Sequence, residues 1–159
     1  MFNITILAIG TLKENYLREA FNEYIKRIKP YAKLDVIELP ETTFSSINER
    51  ENVKAKEAEV ILKKIKKNSV IFLLTHEGKQ YSSEEFAQLI YKSSNGTTGN
   101  THITFVIGGA LGLHDSIKKS FRNLLSFSKM TFTHQMARII LVEQLYRAGT
   151  IINNKQYHY

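Results

Sequence analysis

Two spacings of apolar residues alternate along this chain. Residues 3–9 alternate and then run apolar through Ile4, Ile6, Leu7 and Ile9, the pattern of a buried strand that ends at Gly10. Leu17, Phe21, Tyr24, Ile25 and Ile28 then recur at helical spacing, which predicts an amphipathic helix from Glu14 to about Lys29, stopped by Pro30. Leu34 to Leu39 reads as a second strand closed by Pro40, and 41–48 as a loop of turn formers. A second helix is expected from about Glu49 to Lys67, with Ala58, Ile61, Leu62 and Ile65 on one face and its lysines on a solvated one.

Val70 to Leu74 is an apolar strand expected to end at the run Thr75-His76-Glu77-Gly78-Lys79. Phe86, Leu89 and Ile90 mark a third helix, followed by a Ser/Asn/Gly/Thr loop at 93–100. Ile103 to Ile107 is another buried strand, running straight into Gly108-Gly109-Ala110-Leu111-Gly112. Leu124 to Phe127 reads as a short strand, and after a turn at His134-Gln135 an unusually apolar helix runs from Met136 to about Ala148. Residues 153–159 form a polar tail. Strands apolar throughout and alternating with helices predict an α/β fold, a mostly parallel sheet covered on both faces. No repeat or linker divides the 159 residues, so 1–159 is expected to be one domain.

Composition changes this picture in three ways. The chain has no cysteine, which excludes thiol catalysis and zinc–thiolate sites and suits a cytoplasmic protein. No apolar run approaches the roughly 20 residues of a membrane span, and the N-terminus reads as a first strand rather than a signal peptide, with the mature protein beginning at or near Met1. The net charge of +7 is uneven: residues 1–112 carry 15 Lys+Arg against 13 Asp+Glu, whereas residues 113–159 carry 7 against 2. That excess suggests a surface facing phosphates, although a basic protein without a polyanionic partner has the same composition.

Ligands of open α/β sheets bind beyond the carboxyl ends of the strands. Three ends stand out here: Leu74 to Gly78, Gly108 to Gly112 and Phe127 to Phe132. The glycines after Ile107 let backbone N–H groups approach a ligand closely, and a following helix start would favour negative charge. A tight turn without a ligand would use the same residues. The spacing matches neither G-x-G-x-x-G nor the P-loop, so dinucleotide and P-loop readings lose support. The five histidines have no metal-ligand spacing, and no metal is expected. In the last helix Arg138, Glu143 and Arg147 stand among apolar residues. Glu143 and Arg147 are spaced as a helix-face pair, and charges in so apolar a helix must be paired or line a site. The wide apolar surface of Met136, Ile139, Ile140, Leu141, Val142, Leu145 and Tyr146 suits a helix shared between the core and a subunit interface.

The runs Ile-Gly-Gly-Ala-Leu-Gly-Leu at 107–113 and His-Gln-Met-Ala-Arg-Ile-Ile-Leu-Val-Glu-Gln-Leu-Tyr-Arg-Ala at 134–148 resemble those of the SPOUT methyltransferases. The ending Tyr157-His158-Tyr159, the first strand with Gly10 and the short length narrow the resemblance to the family that methylates a pseudouridine of large-subunit ribosomal RNA. It covers essentially the whole chain. The resemblance implies a deep trefoil knot in the C-terminal part, against the usual rule for connections, and a homodimer paired through the knot. It implies S-adenosylmethionine as cofactor, without a metal, held at Leu74, Thr75 and His76, at Gly108 and Gly109, and along Phe127, Ser128, Lys129, Met130, Thr131 and Phe132. It implies methylation of ring nitrogen 3 of a pseudouridine in a 23S rRNA stem-loop.

Under that resemblance Tyr157 is expected to stack on or hydrogen-bond the acceptor base and His158 to handle its proton, while Arg138, Arg147 and Lys155, with Lys129, would hold phosphates. Gly108→Val is expected to fill the space of the ligand. Many relatives have proline in the Gly-Gly loop, where this chain has Ala110, and His-Pro where it has His134-Gln135. A non-catalytic ribosome-binding or assembly factor on the same fold, or an enzyme with a different nucleotide at Gly108–Gly112, are the alternatives.

Overall fold

Five parallel strands lie side by side in the order β2-β1-β4-β3-β5 in the computed structural model, which describes residues 1–96 and 101–155. The elements follow one another as β1 (Phe2–Ile9), α1 (Asn15–Ile28), β2 (Ala32–Leu39), α2 (Arg50–Lys64), β3 (Ser69–Lys79), α3 (Ser83–Ser94), β4 (His102–Ile107), α4 (Asp115–Ser120), β5 (Leu124–Leu125) and α5 (His134–Ile152), with a short 3-10 turn at Ile47–Glu49. Side chains alternate across a strand, and here both faces are buried. Ile4, Ile6 and Ala8 of β1 join Phe72, Ile103, Phe105 and Ile107 under α1, α3 and α5. Leu7 and Ile9 join Ile71, Leu73 and Val106 under α2 and α4. This explains why the central strands read as continuous apolar runs.

The α5 helix holds one face together. Leu141, Val142 and Leu145 are buried between α1 and α3, each contributing about 1.5–3 kcal/mol of apolar burial. Thr133 caps the helix, its hydroxyl accepting the Met136 N–H at 3.2 Å. The helix runs antiparallel to the strands. Its first turns meet Gly10 at the carboxyl end of β1, where Arg138 donates to the Ile9 and Gly10 carbonyls. Its last turns meet Tyr31 at the amino end of β2: a Cβ on Gly149 would sit 2.7 Å from the Tyr31 side chain. Glycine is required at 149 for that close approach.

Three expectations are corrected. The helix starts at His134, not after a turn at His134-Gln135, and extends to Ile152. The short α4, Asp115–Ser120, was not anticipated as an element. The third strand does not end at Leu74. Its pairing with β4 ends there, at Leu74↔Ile107, but the extended backbone continues to Lys79, which pairs with Leu125 after an irregularity. Part of the loop expected at 93–100, residues 97–100, lies outside the described residues.

Gly78 fixes this continuation. A Cβ there would lie 2.5 Å from the Leu125 carbonyl carbon and 2.6 Å from Leu124 C and Leu125 N. Backbone cannot step aside as a flexible side chain would. Gly78→Ala is therefore expected to lift β5 off β3, costing about 1–3 kcal/mol and weakening any ligand site built on β5. A urea midpoint unchanged from the parent would contradict it.

Candidate functional site

The strand order brings the three candidate strand ends together. Leu74 sits level with Ile107 on one side and Leu125 on the other, so the 74–79 continuation of β3 lies beside residues 108–112, which leave β4, and 126–132, which leave β5. The last of these runs is the most exposed. Ser126 is anchored by its N–H to the Lys79 carbonyl at 2.9 Å, and its hydroxyl donates to the Ser128 carbonyl at 2.8 Å. The Ser128 hydroxyl accepts the Met130 N–H at 3.0 Å. Phe127 packs against the core, whereas Lys129, Met130, Thr131 and Phe132 are exposed, Met130 at 76%. Local hydroxyl bonds thus shape a loop that presents apolar side chains outward.

The glycine loop is tightly packed against protein. A Cβ at Gly108 would meet Gly112 C at 3.0 Å, Leu113 N at 3.1 Å and the Leu113 side chain at 3.0 Å. At Gly109 it would meet Ile9 and both carboxylate oxygens of Glu57, at 3.1 and 3.2 Å. The protein neighbours that crowd these positions are the loop's own Gly112 and Leu113 at Gly108, and Ile9 of β1 with Glu57 of α2 at Gly109. Gly112, with φ +78, has nothing within 4 Å of its Cβ position, so the open side of the loop lies there. Gly108→Val is still expected to remove ligand binding, by displacing the loop, with the fold kept at a cost of about 1–3 kcal/mol. Calorimetric titration showing near-parental cofactor affinity in the folded variant would refute that.

One further expectation about this end changes. The helix after the loop offers no anion site, since α4 begins with Asp115 and its N-cap His114 accepts the Ser116 N–H through Nδ1. Glu57 lies buried beneath Gly109, accepting the Thr42 N–H at 3.2 Å. Burial raises its pKa above the usual carboxylate range, and the Thr42 bond only partly opposes this.

Arg138 corrects an expectation outright. It was expected among the phosphate contacts, but its side chain is 0% exposed. It donates to Glu38 Oε1 at 2.6 Å, to the Ile9 carbonyl at 3.1 Å and to the Gly10 carbonyl. A guanidinium inside an apolar helix must be paired, and this one is paired to the end of β1. Around it the Gly10–Lys13 loop is stitched to the start of α5. The His134 ring lies against Gly10, with its Nε2 buried and without a hydrogen-bond partner among the described residues, and burial lowers its pKa. The Gln135 side chain accepts the Lys13 N–H at 2.8 Å, a bond that a proline at 135 could not make.

The remaining sequence candidates lie elsewhere. Arg147 forms the expected pair with Glu143, its two N–H groups reaching Oε1 at 2.7 and 3.1 Å. Lys155 is exposed just beyond α5, at the amino edge of the sheet. Tyr157 and His158 lie outside the described residues. Among the described residues no group of three or more His, Cys, Asp or Glu could hold a metal ion.

Residues 2–158 match the family model described as "Predicted SPOUT methyltransferase". The chain belongs to the SPOUT methyltransferase family. Its relatives include the ribosomal RNA large subunit methyltransferase H 1 of Clostridium perfringens and the methyltransferase H of Clostridium acetobutylicum, each 46% identical over 98% of this chain and 99% of the relative. Among solved structures, one described as a probable methyltransferase from Bordetella pertussis Tohama I superposes with a TM-score of 0.57 at 11% identity, covering 93% of this chain and 95% of that one. At that identity the likeness shows the fold alone. Methyltransferases of the SPOUT family generally use S-adenosylmethionine, and the features above suit such a cofactor: an open side at Gly112, backbone at Gly108 and Gly109 and exposed apolar Met130 and Phe132.

Proposed function

We propose that this SPOUT methyltransferase transfers the methyl group of S-adenosylmethionine to ring nitrogen 3 of a pseudouridine in 23S rRNA, in the cytoplasm, as a homodimer. The observation that carries the reading is the convergence of the end of β3 and the two loops after β4 and β5 at one edge of the sheet, in a chain whose relatives are named for large-subunit rRNA methylation. Leu74, Thr75, His76, Gly108, Gly109 and the run Phe127–Phe132 would hold the cofactor, on the threaded C-terminal segment that the family implies. The sulfonium supplies an already activated methyl, so the protein's task is positioning. As the new N–CH3 bond forms, the S–CH3 bond breaks and nitrogen 3 gives its proton to a nearby base or water. Burial keeps Arg138 from the phosphates, which leaves Lys129, Arg147 and Lys155 as the candidates for them.

The direction of α5 supports a role for the tail in the other subunit of a dimer. The helix has 19 residues, about 28 Å from the carboxyl edge of the sheet to the amino edge. The four residues after Lys155 can span at most about 14 Å. The span of the helix exceeds that reach, and we infer that each tail completes the site of a partner copy. Exposed Met130, Phe132 and Met136, clustered where α5 begins, support a paired surface there. Calorimetric titration with S-adenosylmethionine, run beside sedimentation at micromolar protein, tests both halves. Binding by a dimer is expected. Absence of cofactor binding would favour the assembly-factor alternative, and a monomer would remove the shared site.

A further inference from the structure

A cavity of about 480 Å³ opens at the carboxyl ends of β1 and β2, beside α1, within the size range of small-ligand sites. Leu12, Phe21 and Val36 give it an apolar lining, with Leu12 and Phe21 buried. Exposed Thr11, Arg18, Asn22 and Glu38 supply its polar groups. It lies at the same edge of the sheet as the cofactor strand ends but beyond β4, and none of the cofactor candidates lines it.

Two of the polar groups are specifically arranged. Glu38 is held from behind by buried Arg138, whose N–H reaches Oε1 at 2.6 Å, and no other hydrogen bond to the Glu38 carboxylate occurs among the described residues. Its second oxygen remains available as an acceptor. Arg18 donates only to neutral oxygens, the carbonyls of Leu12 at 2.8 Å and Lys13 at 3.0 Å and the side chain of Asn15, and it makes no ion pair among the described residues. The cavity therefore combines an apolar floor for a planar ring, a fixed carboxylate, hydroxyl and amide donors, and an unneutralised cation.

We propose that this cavity receives the extruded acceptor nucleotide, and that Glu38 selects pseudouridine over uridine. The proposal rests on the RNA-methyltransferase reading above and deepens it. A pseudouridine carries ring N–H groups at positions 1 and 3. Position 3 is consumed by methylation, and position 1 is the donor that uridine lacks, because its nitrogen there bears the sugar. Glu38 accepts that N1–H, Thr11 and Asn22 donate to the ring carbonyls, Phe21 lies against the ring, and Arg18 holds a flanking phosphate. Arg138 is a positioning residue that aims Glu38 and ties the cavity to α5. Uridine lacks that donor and leaves the second oxygen of half-exposed Glu38 to water, so the discrimination is that of one charge-assisted hydrogen bond, on the order of tenfold.

The test compares labelled methyl transfer to ribosomes carrying pseudouridine or uridine at the target position. Glu38→Gln is expected to lower kcat/KM for the pseudouridine ribosomes about tenfold and to shrink the pseudouridine-to-uridine ratio by a similar factor, with cofactor affinity unchanged. Asn22→Phe, on the exposed face of α1 and away from Arg138, fills the cavity and is expected to lower transfer to both substrates with cofactor affinity unchanged. An unaltered ratio in Glu38→Gln, or full transfer by Asn22→Phe, overturns the cavity assignment while leaving the methyltransferase reading in place. Failure of the parent protein to methylate either ribosome, while it still binds cofactor, defeats both.

Discussion

Removing Tyr157, His158 and Tyr159 is expected to leave cofactor affinity within a few-fold and to lower methyl transfer by roughly 10²-fold or more, the usual effect of losing a proton-handling or positioning group. The polar tail adds little apolar area to a core, so folding and pairing should survive. The geometry of α5 makes a sharper prediction. A tail-less subunit retains its cofactor loops, and a Gly108→Val subunit retains its tail. If each tail serves the partner, co-expressing the two inactive variants restores one working site in each mixed dimer. With random pairing that amounts to roughly a quarter of the parental activity. Within one subunit, tail and cofactor loops could never combine, and the mixture would stay inactive. His158→Ala alone should lower the rate and flatten its pH dependence if His158 takes the proton. Full transfer by the truncated protein would show that the tail is inert.

The largest stability effect is expected at Arg138. Arg138→Met removes donors from the Ile9 and Gly10 carbonyls and from Glu38. Breaking a buried charged pair from one side costs on the order of 3–5 kcal/mol. Glu38 is 41% exposed and can turn to water, which places the loss toward the lower end. The two carbonyls have no such escape. Because Arg138 follows the cofactor run 127–132 by only six residues, the loosened start of α5 should also weaken cofactor binding. Urea unfolding with an unchanged slope and a lowered midpoint is the expected readout. A midpoint equal to the parent's would mean that the apolar face of α5 holds the helix without this anchor.

The periodic parts of the fold were legible in the sequence. Central strands buried on both faces show as unbroken apolar runs, and α1 shows as Leu17, Phe21 and Ile28 at helical spacing. The strand ends at Leu74, Gly108 and Phe127 could be named as site candidates because ligands favour that edge of a parallel sheet. What periodicity could not show was order across the sheet, which places those three ends side by side. Arg138 carried half a signal: a lone charge in an apolar helix must be paired, but its partner Glu38 lies 100 residues earlier in an alternating strand with nothing to mark it. The continuation of β3 to Lys79 was hidden because Thr75-His76-Glu77-Gly78 reads as turn chemistry, and only the close approach of β5 at Gly78 explains it. The cavity at Thr11–Glu38 combines residues from a loop, a helix and an edge strand, and no local spacing encodes that.

The most direct measurement follows a labelled methyl group from S-adenosylmethionine into ribosomes, then digests the large-subunit RNA to nucleosides. Label recovered in N3-methylpseudouridine, absent when the Gly108→Val protein replaces the parent, is the result expected of this molecule. Cofactor binding without label in the RNA, or label in any other nucleoside, would contradict it.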